Sequence, residues 1–93
     1  MATAADSKLF HLALITPEQK VLETDVFAVE FPAHDGSMGI LTHRAPLVTK
    51  LGQGVLRFEP HAGQPQRWAI KGGYAQMKDN TLTILTDEAA LVT

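Results

Sequence analysis

The residues of this chain that could do chemistry are few and scattered. His34, His43 and His61 fall near Asp35 in polar stretches, and imidazole and carboxylate groups together could bind a metal ion. Their spacing matches no zinc pattern, however, and histidines in loops are usually only solvated. The sequence therefore predicts no metal site.

Other catalytic and cofactor patterns are equally weak. Ser7 and Ser37 lack the glycine pattern of a nucleophile elbow. Gly52-Gln53-Gly54 and Gly72-Gly73 lack the Lys-Ser/Thr pair and the helix of a phosphate-binding loop, so turns are their expected role. Lys78 precedes a hairpin signal, where carrier domains hold biotin or lipoate, but the flanking residues of those domains are missing. We expect no catalytic residue, no cofactor and no enzyme activity, which leaves recognition of another protein.

The composition of the chain limits which kinds of partner are expected. Its 93 residues suffice for one domain, and the net charge of −2 includes no run of basic residues that could neutralise several phosphates. Nucleic acid is therefore an unexpected partner. Cysteine is absent, which excludes disulfides and thiolate chemistry. Strictly apolar runs are far shorter than the roughly 20 residues of a membrane span, so direct membrane insertion is not expected. Residues 1–7 are predicted to be a mobile leader before a single domain at 8–93.

Period-two alternation recurs along the chain, and helical periodicity is nearly absent. The residues predicted to face a common core are apolar and two apart: Phe10, Leu12 and Leu14; Phe27, Val29 and Phe31; Trp68 and Ile70; Leu82 and Ile84. Tyr74 is assigned to the same core. Asp79-Asn80 predicts a tight hairpin, because both residues tolerate positive φ. Many short strands separated by turns indicate either a closed barrel or a β-sandwich, with residues 87–93 as a last edge strand.

The segment from Asp35 to Leu47 carries the strongest functional signal. It combines glycines, a proline, charges and a histidine, and it is predicted to be a tight polar recognition loop on a rigid scaffold. Four apolar residues follow or end it: Leu47, Val48, Leu51 and Val55. They either fill the core or form an exposed patch for a partner, and the sequence favours neither alternative.

Five segments of the chain resemble one known family. Gly36-Ser37-Met38-Gly39-Ile40-Leu41-Thr42-His43-Arg44-Ala45-Pro46-Leu47 resembles the signature of the epsilon subunit of F-type ATP synthases, called delta in mitochondria. The others follow in the same order and spacing: Leu12-Ala13-Leu14-Ile15-Thr16-Pro17-Glu18, Gly54-Val55-Leu56-Arg57, Gly72-Gly73-Tyr74 and Asn80-Thr81-Leu82-Thr83-Ile84-Leu85-Thr86-Asp87-Glu88-Ala89. Together they cover essentially the whole chain after Ser7.

The resemblance implies an all-β fold, a flattened antiparallel β-sandwich of about ten short strands. It also implies a non-catalytic rotor subunit of the central stalk, which couples the gamma subunit to the polar loops of the c-ring. Its location would be peripheral, on the cytoplasmic face of the inner (plasma) membrane. The chain stops where most members continue into a C-terminal helical hairpin, so no hairpin and no nucleotide site are expected. The alternative is a generic β-sandwich adaptor for an unrelated protein.

The resemblance also assigns two candidate interfaces. The gamma-facing residues would be Arg44, Pro46, Leu47, Val48, Thr49 and Val55. The loop facing the c-ring would present Asp35, Ser37, Met38 and His43. The family usually has an acidic residue at the place of Ser37 and a histidine at that of Arg44, so the charges that meet each partner would differ here. Either Leu47→Asp or Val48→Asp is expected to weaken gamma binding while the domain still folds.

Overall fold

A computed structural model describes residues 8–92; the predicted leader at 1–7 lies outside the described residues, as does Thr93. Within this range the chain forms nine β-strands. They are β1 (Phe10–Ile15), β2 (Lys20–Ala33), β3 (Gly36–Leu41), β4 (Leu47–Lys50), β5 (Gln53–Pro60), β6 (Gln66–Lys71), β7 (Tyr74–Lys78), β8 (Thr81–Leu85) and β9 (Glu88–Val92). The all-β prediction is confirmed, and the predicted last strand is β9.

Strand β2 joins the two layers of the sandwich. Its first half pairs with β1, and its second half pairs with β3 on one side and β5 on the other. The hydrogen-bonded order is β4-β7-β8-β1-β2-β5-β6-β9. The first layer therefore comprises β4, β7, β8, β1 and the start of β2. The second comprises the end of β2 with β3, β5, β6 and β9.

The pairing departs from the prediction in one respect. Within the described range β1 and β8 run parallel, with Leu12 opposite Leu82 and Leu14 opposite Ile84, so the sandwich is not wholly antiparallel. Alternation along single strands fixes which side chains face inward but not the direction of the neighbouring strand. The four residues of these two pairs are fully buried and belong to the common core.

A register shift in β2 changes its inward face. The prediction placed Phe27 with Val29 and Phe31 on one face, but the pairing of β2 with β5 shifts between Val26 and Ala28. Such a shift inserts one residue, so inward-facing positions on its two sides can lie three residues apart instead of two. Val26 is accordingly buried with Val29, while Phe27 is only half-buried and its ring lies 5.9 Å from that of His61.

The aromatic residues are less uniformly buried than predicted. Phe10, Phe31 and Phe58 are buried in the core, and Trp68 packs against it from a half-buried position. Tyr74, however, is 56% exposed, so its assignment to the core is wrong. It opens β7, whose inward positions are Ala75 and Met77. No helix in residues 8–92 is long and apolar enough to span a membrane.

Two predicted turns have the expected backbone conformation. Asp79 and Asn80, between β7 and β8, have φ of 52° and 57°, which is the left-handed pair that a two-residue hairpin requires. Gly72 and Gly73, between β6 and β7, have φ of 67° and 101°. An ideal Cβ on Gly73 would lie only 1.8 Å from the carbonyl oxygen of Leu85. This position therefore excludes every side chain.

Candidate functional site

The predicted recognition loop is a strand flanked by two turns. Asp35 belongs to the turn between β2 and β3, and Ser37 and Met38 lie within β3, opposite Pro32 and Phe31 of β2. The prediction of a loop from Asp35 to Leu47 is therefore wrong over Gly36–Leu41, where Gly36 and Gly39 pair with β2. Residues 42–46 do form turn and irregular structure. Asp35 and Ser37 are exposed, whereas Met38 packs against the core.

The two ends of β3 lie far apart. Asp35 precedes the strand and His43 follows it, and a six-residue strand extends about 20 Å. The backbone N–H of His34 donates to the carbonyl oxygen of Lys50 at 2.9 Å, which fixes the Asp35 end against β4. Of the four residues assigned to one c-ring-facing loop, three therefore lie at or near the start of β3 and His43 lies beyond its other end.

Strand β4 divides its apolar residues between core and solvent. Leu47 is half-buried and packs against the core, and Leu51, just after the strand, is fully buried. Thr49 lies opposite the buried Ala75 and is half-buried as well. Val48 points the other way and is 68% exposed. The alternation thus resolves the question that the sequence left open: Leu47 and Leu51 contribute to the core, and Val48 does not.

Val55 is exposed too, but it lies in the second layer. It pairs with Ala69 of β6, which in turn pairs with Ala90 of β9. Val55 is 44% exposed, while the next residue, Leu56, is fully buried. Since Val48 pairs with Gln76 in the first layer, strand pairing does not bring the two valines into one row.

Arg44 and Pro46 lie between β3 and β4 and are both exposed. We call residues 42–46 the β3–β4 link. At its far end Leu47 pairs with Met77 of β7. At its near end the backbone N–H of His43 donates to Oδ1 of Asn80 at 2.8 Å. The link is thus anchored on both sides to the same hairpin, formed by β7 and β8.

Asn80 holds the start of the link through its side chain, a role that the sequence does not predict. Its Nδ2 donates to the carbonyl oxygen of Leu9 at 3.0 Å, and the Thr42 hydroxyl lies 3.1 Å from the same oxygen. The Asp79-Asn80 signal predicted the turn correctly, but partners that lie 37 and 71 positions away leave no local trace.

The residues considered for chemistry do not converge. His34 follows β2, His43 follows β3, and His61 follows β5. Across residues 8–92 no group of three or more His, Cys, Asp or Glu side chains is placed to hold a metal ion. A groove of about 660 Å³ crosses the outer face of the second layer, but there Arg57 is ion-paired with Glu30.

Within residues 8–92, His11, Glu23 and Asp25 form a cluster in which the pKa values of His11 and Glu23 are shifted. Nδ1 of His11 lies 3.0 Å from Oδ1 of Asp25, and its Nε2 lies 2.6 Å from Oε1 of Glu23. These two hydrogen bonds, of which the one to Asp25 has the larger effect, raise the pKa of His11 above its usual value of about 6.5. Lys20 and then His11 lower the pKa of the Glu23 carboxyl. The cluster holds β1 against β2 on the outer face of the first layer.

Comparison with known proteins identifies the family of this sandwich. A family model described as ATP synthase, Delta/Epsilon chain, beta-sandwich domain, matches residues 9–92. The ATP synthase epsilon chain of Symbiobacterium thermophilum is 44% identical over 81 residues, which are 86% of this chain and 58% of that one. The ATP synthase epsilon chain of Rhodopirellula baltica is 38% identical over 76 residues, 82% and 59% of the two chains. This chain therefore spans somewhat less than two thirds of the length of these relatives.

Solved structures show the same fold. A chain of the mitochondrial ATP synthase of Euglena gracilis superposes with a TM-score of 0.82 at 28% identity, covering 91% of this chain and 54% of that one. A chain of the central stalk and c-ring structure of the Tetrahymena thermophila mitochondrial ATP synthase superposes with a TM-score of 0.74, but at 19% identity it supports the fold alone. The chain belongs to the family of ATP synthase delta/epsilon chains, through their β-sandwich domain.

Proposed function

We propose that this chain is a non-catalytic rotor subunit that couples the gamma subunit of an F-type ATP synthase to its c-ring. Family membership carries the proposal, since the relatives are ATP synthase epsilon chains. A part that transmits torque needs a stiff body and two contact surfaces, and it carries out no covalent chemistry. The doubly layered sandwich, with a core drawn from both layers, has the stiffness that such a part requires.

The gamma contact is centred on the β3–β4 link and the start of β4. Arg44 and Pro46 are exposed in the link, and Val48 exposes an apolar side chain two residues beyond it. A single exposed apolar residue is common on protein surfaces; the assignment of Val48 to the gamma contact therefore rests on the family resemblance, and its exposure only makes the contact possible. Leu47 and Thr49 face inward and support this surface from below. Val55, in the second layer, takes part only if the partner reaches around the edge of the sandwich.

The c-ring contact is centred on the turn between β2 and β3. Asp35 and Ser37 are exposed there, and the polar loops of a c-ring would meet hydrogen-bonding groups and a charge. His43 lies at the other end of β3, close to the gamma surface. In the cell the chain would sit peripherally on the cytoplasmic face of the inner (plasma) membrane, as part of the complex.

The proposal is tested by binding of the purified chain to the gamma subunit. Val48→Asp is expected to weaken gamma binding about 10-fold or more, because a carboxylate would replace an apolar contact at the centre of the surface. Leu91→Asp is the matched control, since Leu91 is 53% exposed but belongs to β9 in the second layer, away from the β3–β4 link. Equal losses in both variants would contradict the assigned surface.

A second experiment separates the rotor proposal from a generic adaptor. The wild-type chain, used as bait in membranes that contain the ATP synthase, should retain the gamma subunit and the c-ring. Retention of a protein unrelated to ATP synthase, with no gamma subunit, would favour the adaptor instead.

A further inference from the structure

Asn80 has a side chain that its own turn does not need. The hairpin between β7 and β8 is formed by two residues with positive φ, a requirement of the backbone that glycine would meet as well. The amide group of Asn80 is therefore available for bonds outside the hairpin. It is directed towards two segments that are distant in sequence.

Hydrogen bonds connect Asn80 to both segments. Its Oδ1 accepts from the backbone N–H of His43 at 2.8 Å, and its Nδ2 donates to the carbonyl oxygen of Leu9 at 3.0 Å. Its backbone carbonyl accepts from the N–H of His11 at 3.1 Å. Thr42 joins the group, with its hydroxyl 3.1 Å from the Leu9 oxygen and 3.3 Å from Oδ1 of Asn80. We call the two side-chain bonds of Asn80 the Asn80 tether.

The tether acts where the chain changes direction. His43 has φ of 60°, a conformation that costs a residue with a side chain about 1 kcal/mol or more. The bond from its N–H to Asn80 holds this residue in place directly before Arg44. Beyond it, the next anchor is the pairing of Leu47 with Met77. The orientation of the exposed residues between these two points therefore depends on the tether.

We propose that Asn80 is a positioning residue for the gamma-binding surface. It fixes the path of the β3–β4 link, and so the direction in which Arg44 and Pro46 are presented, without touching the partner itself. This inference rests on the proposed function. Pre-organisation of a loop raises affinity because less ordering has to occur on binding.

Asn80→Gly tests the inference, because glycine preserves the positive φ of the turn and removes both side-chain bonds. We expect a folded domain in which the His43 amide exchanges its hydrogen at least about 10-fold faster and gamma binds about 5- to 10-fold more weakly. Asn80→Asp retains an acceptor for the His43 N–H and loses the donor to Leu9. It should keep the His43 amide protected and bind gamma more tightly than Asn80→Gly does.

A control variant distinguishes positioning from general destabilisation. Thr16→Ala removes a hydrogen bond from a hydroxyl to the Gln19 carbonyl in the turn between β1 and β2, far along the chain from the link. If Thr16→Ala lowers gamma affinity as much as Asn80→Gly does, or if Asn80→Gly accelerates His43 exchange without weakening binding, the positioning role is wrong. Unchanged His43 exchange in Asn80→Gly would also overturn it.

The two readouts separate this inference from the proposed function. Hydrogen exchange at His43 is measured on the free chain and reports on the tether without any partner. Failure of the wild-type chain to bind gamma would overturn the proposed function, and the assignment of the surface with it, whatever the exchange rates show.

Discussion

Two links between strands show opposite ways of fixing a chain. The β6–β7 link, Gly72 and Gly73, is packed against the backbone of the β8–β9 region, and an added Cβ would meet the Leu85 oxygen. The β3–β4 link is exposed and depends at its start on the side chain of Asn80. A link fixed by close backbone approach can only support the fold, whereas a link held by one side chain can present others to a partner.

The largest expected effect comes from a substitution in the β6–β7 link. Gly73→Ala should lower the free energy of unfolding by more than about 3 kcal/mol or prevent folding, because its methyl group would overlap a backbone carbonyl. Gly63→Ala is a close control, since Gly63 has φ of 102°, nearly that of Gly73, but no atom within 4 Å of an ideal Cβ.

Urea denaturation of both variants separates overlap from backbone strain. Gly63→Ala should lose about 1–3 kcal/mol from its unfavourable φ alone. If the two variants lose the same free energy, the close approach of Gly73 to Leu85 contributes nothing, and the contrast between the links disappears.

The two links also differ in how far the sequence predicts them. Consecutive glycines predict a turn because they allow positive φ, and Asp79-Asn80 predicts its hairpin for a similar reason. The overlap at Gly73 is invisible in the sequence, since Leu85 belongs to another strand. The bond between Asn80 and His43 is invisible for the same reason. Histidine is enriched among the few non-glycine residues with positive φ, but residue type alone does not tell which of the four histidines adopts it.

Strand faces were predicted where alternation is regular and missed where the register changes. Phe10, Leu12 and Leu14 are buried as expected, but the shift in β2 turned Val26 inward and left Phe27 half-buried. Alternation in the short strand β4 places Leu47 and Val48 on opposite faces. The sequence does not say whether the face of Leu47 or that of Val48 is turned towards the core. The candidate surface could therefore be located along the chain, while its exposed members required the fold.

The second-largest effect tests where the exposed link ends and the core begins. Leu47→Asp should lower the free energy of unfolding by about 2–4 kcal/mol, because a carboxylate would replace a side chain packed against the core. Val48→Asp should cost under about 1 kcal/mol, mainly from the low strand propensity of Asp. The expectation from the sequence is that the domain still folds with either substitution; the packing of Leu47 against the core makes Leu47→Asp the variant that puts folding at risk.

Chemical denaturation of the free domain measures both variants of β4. They share the strand and the introduced charge, so their difference reports mainly on the direction in which each side chain points. Comparable losses in the two would mean that Val48 also contributes to the core, and the gamma-binding surface would lose its central residue.

The smallest expected effect depends on pH and lies next to the Asn80 tether. The N–H of His11 donates to the Asn80 carbonyl, and its ring is held between Asp25 and Glu23. These bonds raise the pKa of His11, so the folded state binds its proton more tightly than the unfolded chain does. The resulting stability is fully present below about pH 6.5 and is lost as the pH rises through the folded-state pKa.

His11→Gln isolates this contribution, because glutamine remains uncharged throughout. Relative to the variant, the wild-type chain should be more stable at pH 5.5 than at pH 8.5, by less than about 1 kcal/mol given the solvent exposure of the cluster. Thermal unfolding of both chains across this range measures the difference, and proton NMR of the His11 ring measures its pKa directly. A difference in stability that is constant with pH, or an NMR pKa at or below the ordinary value, would mean that the carboxylates do not hold the charged ring.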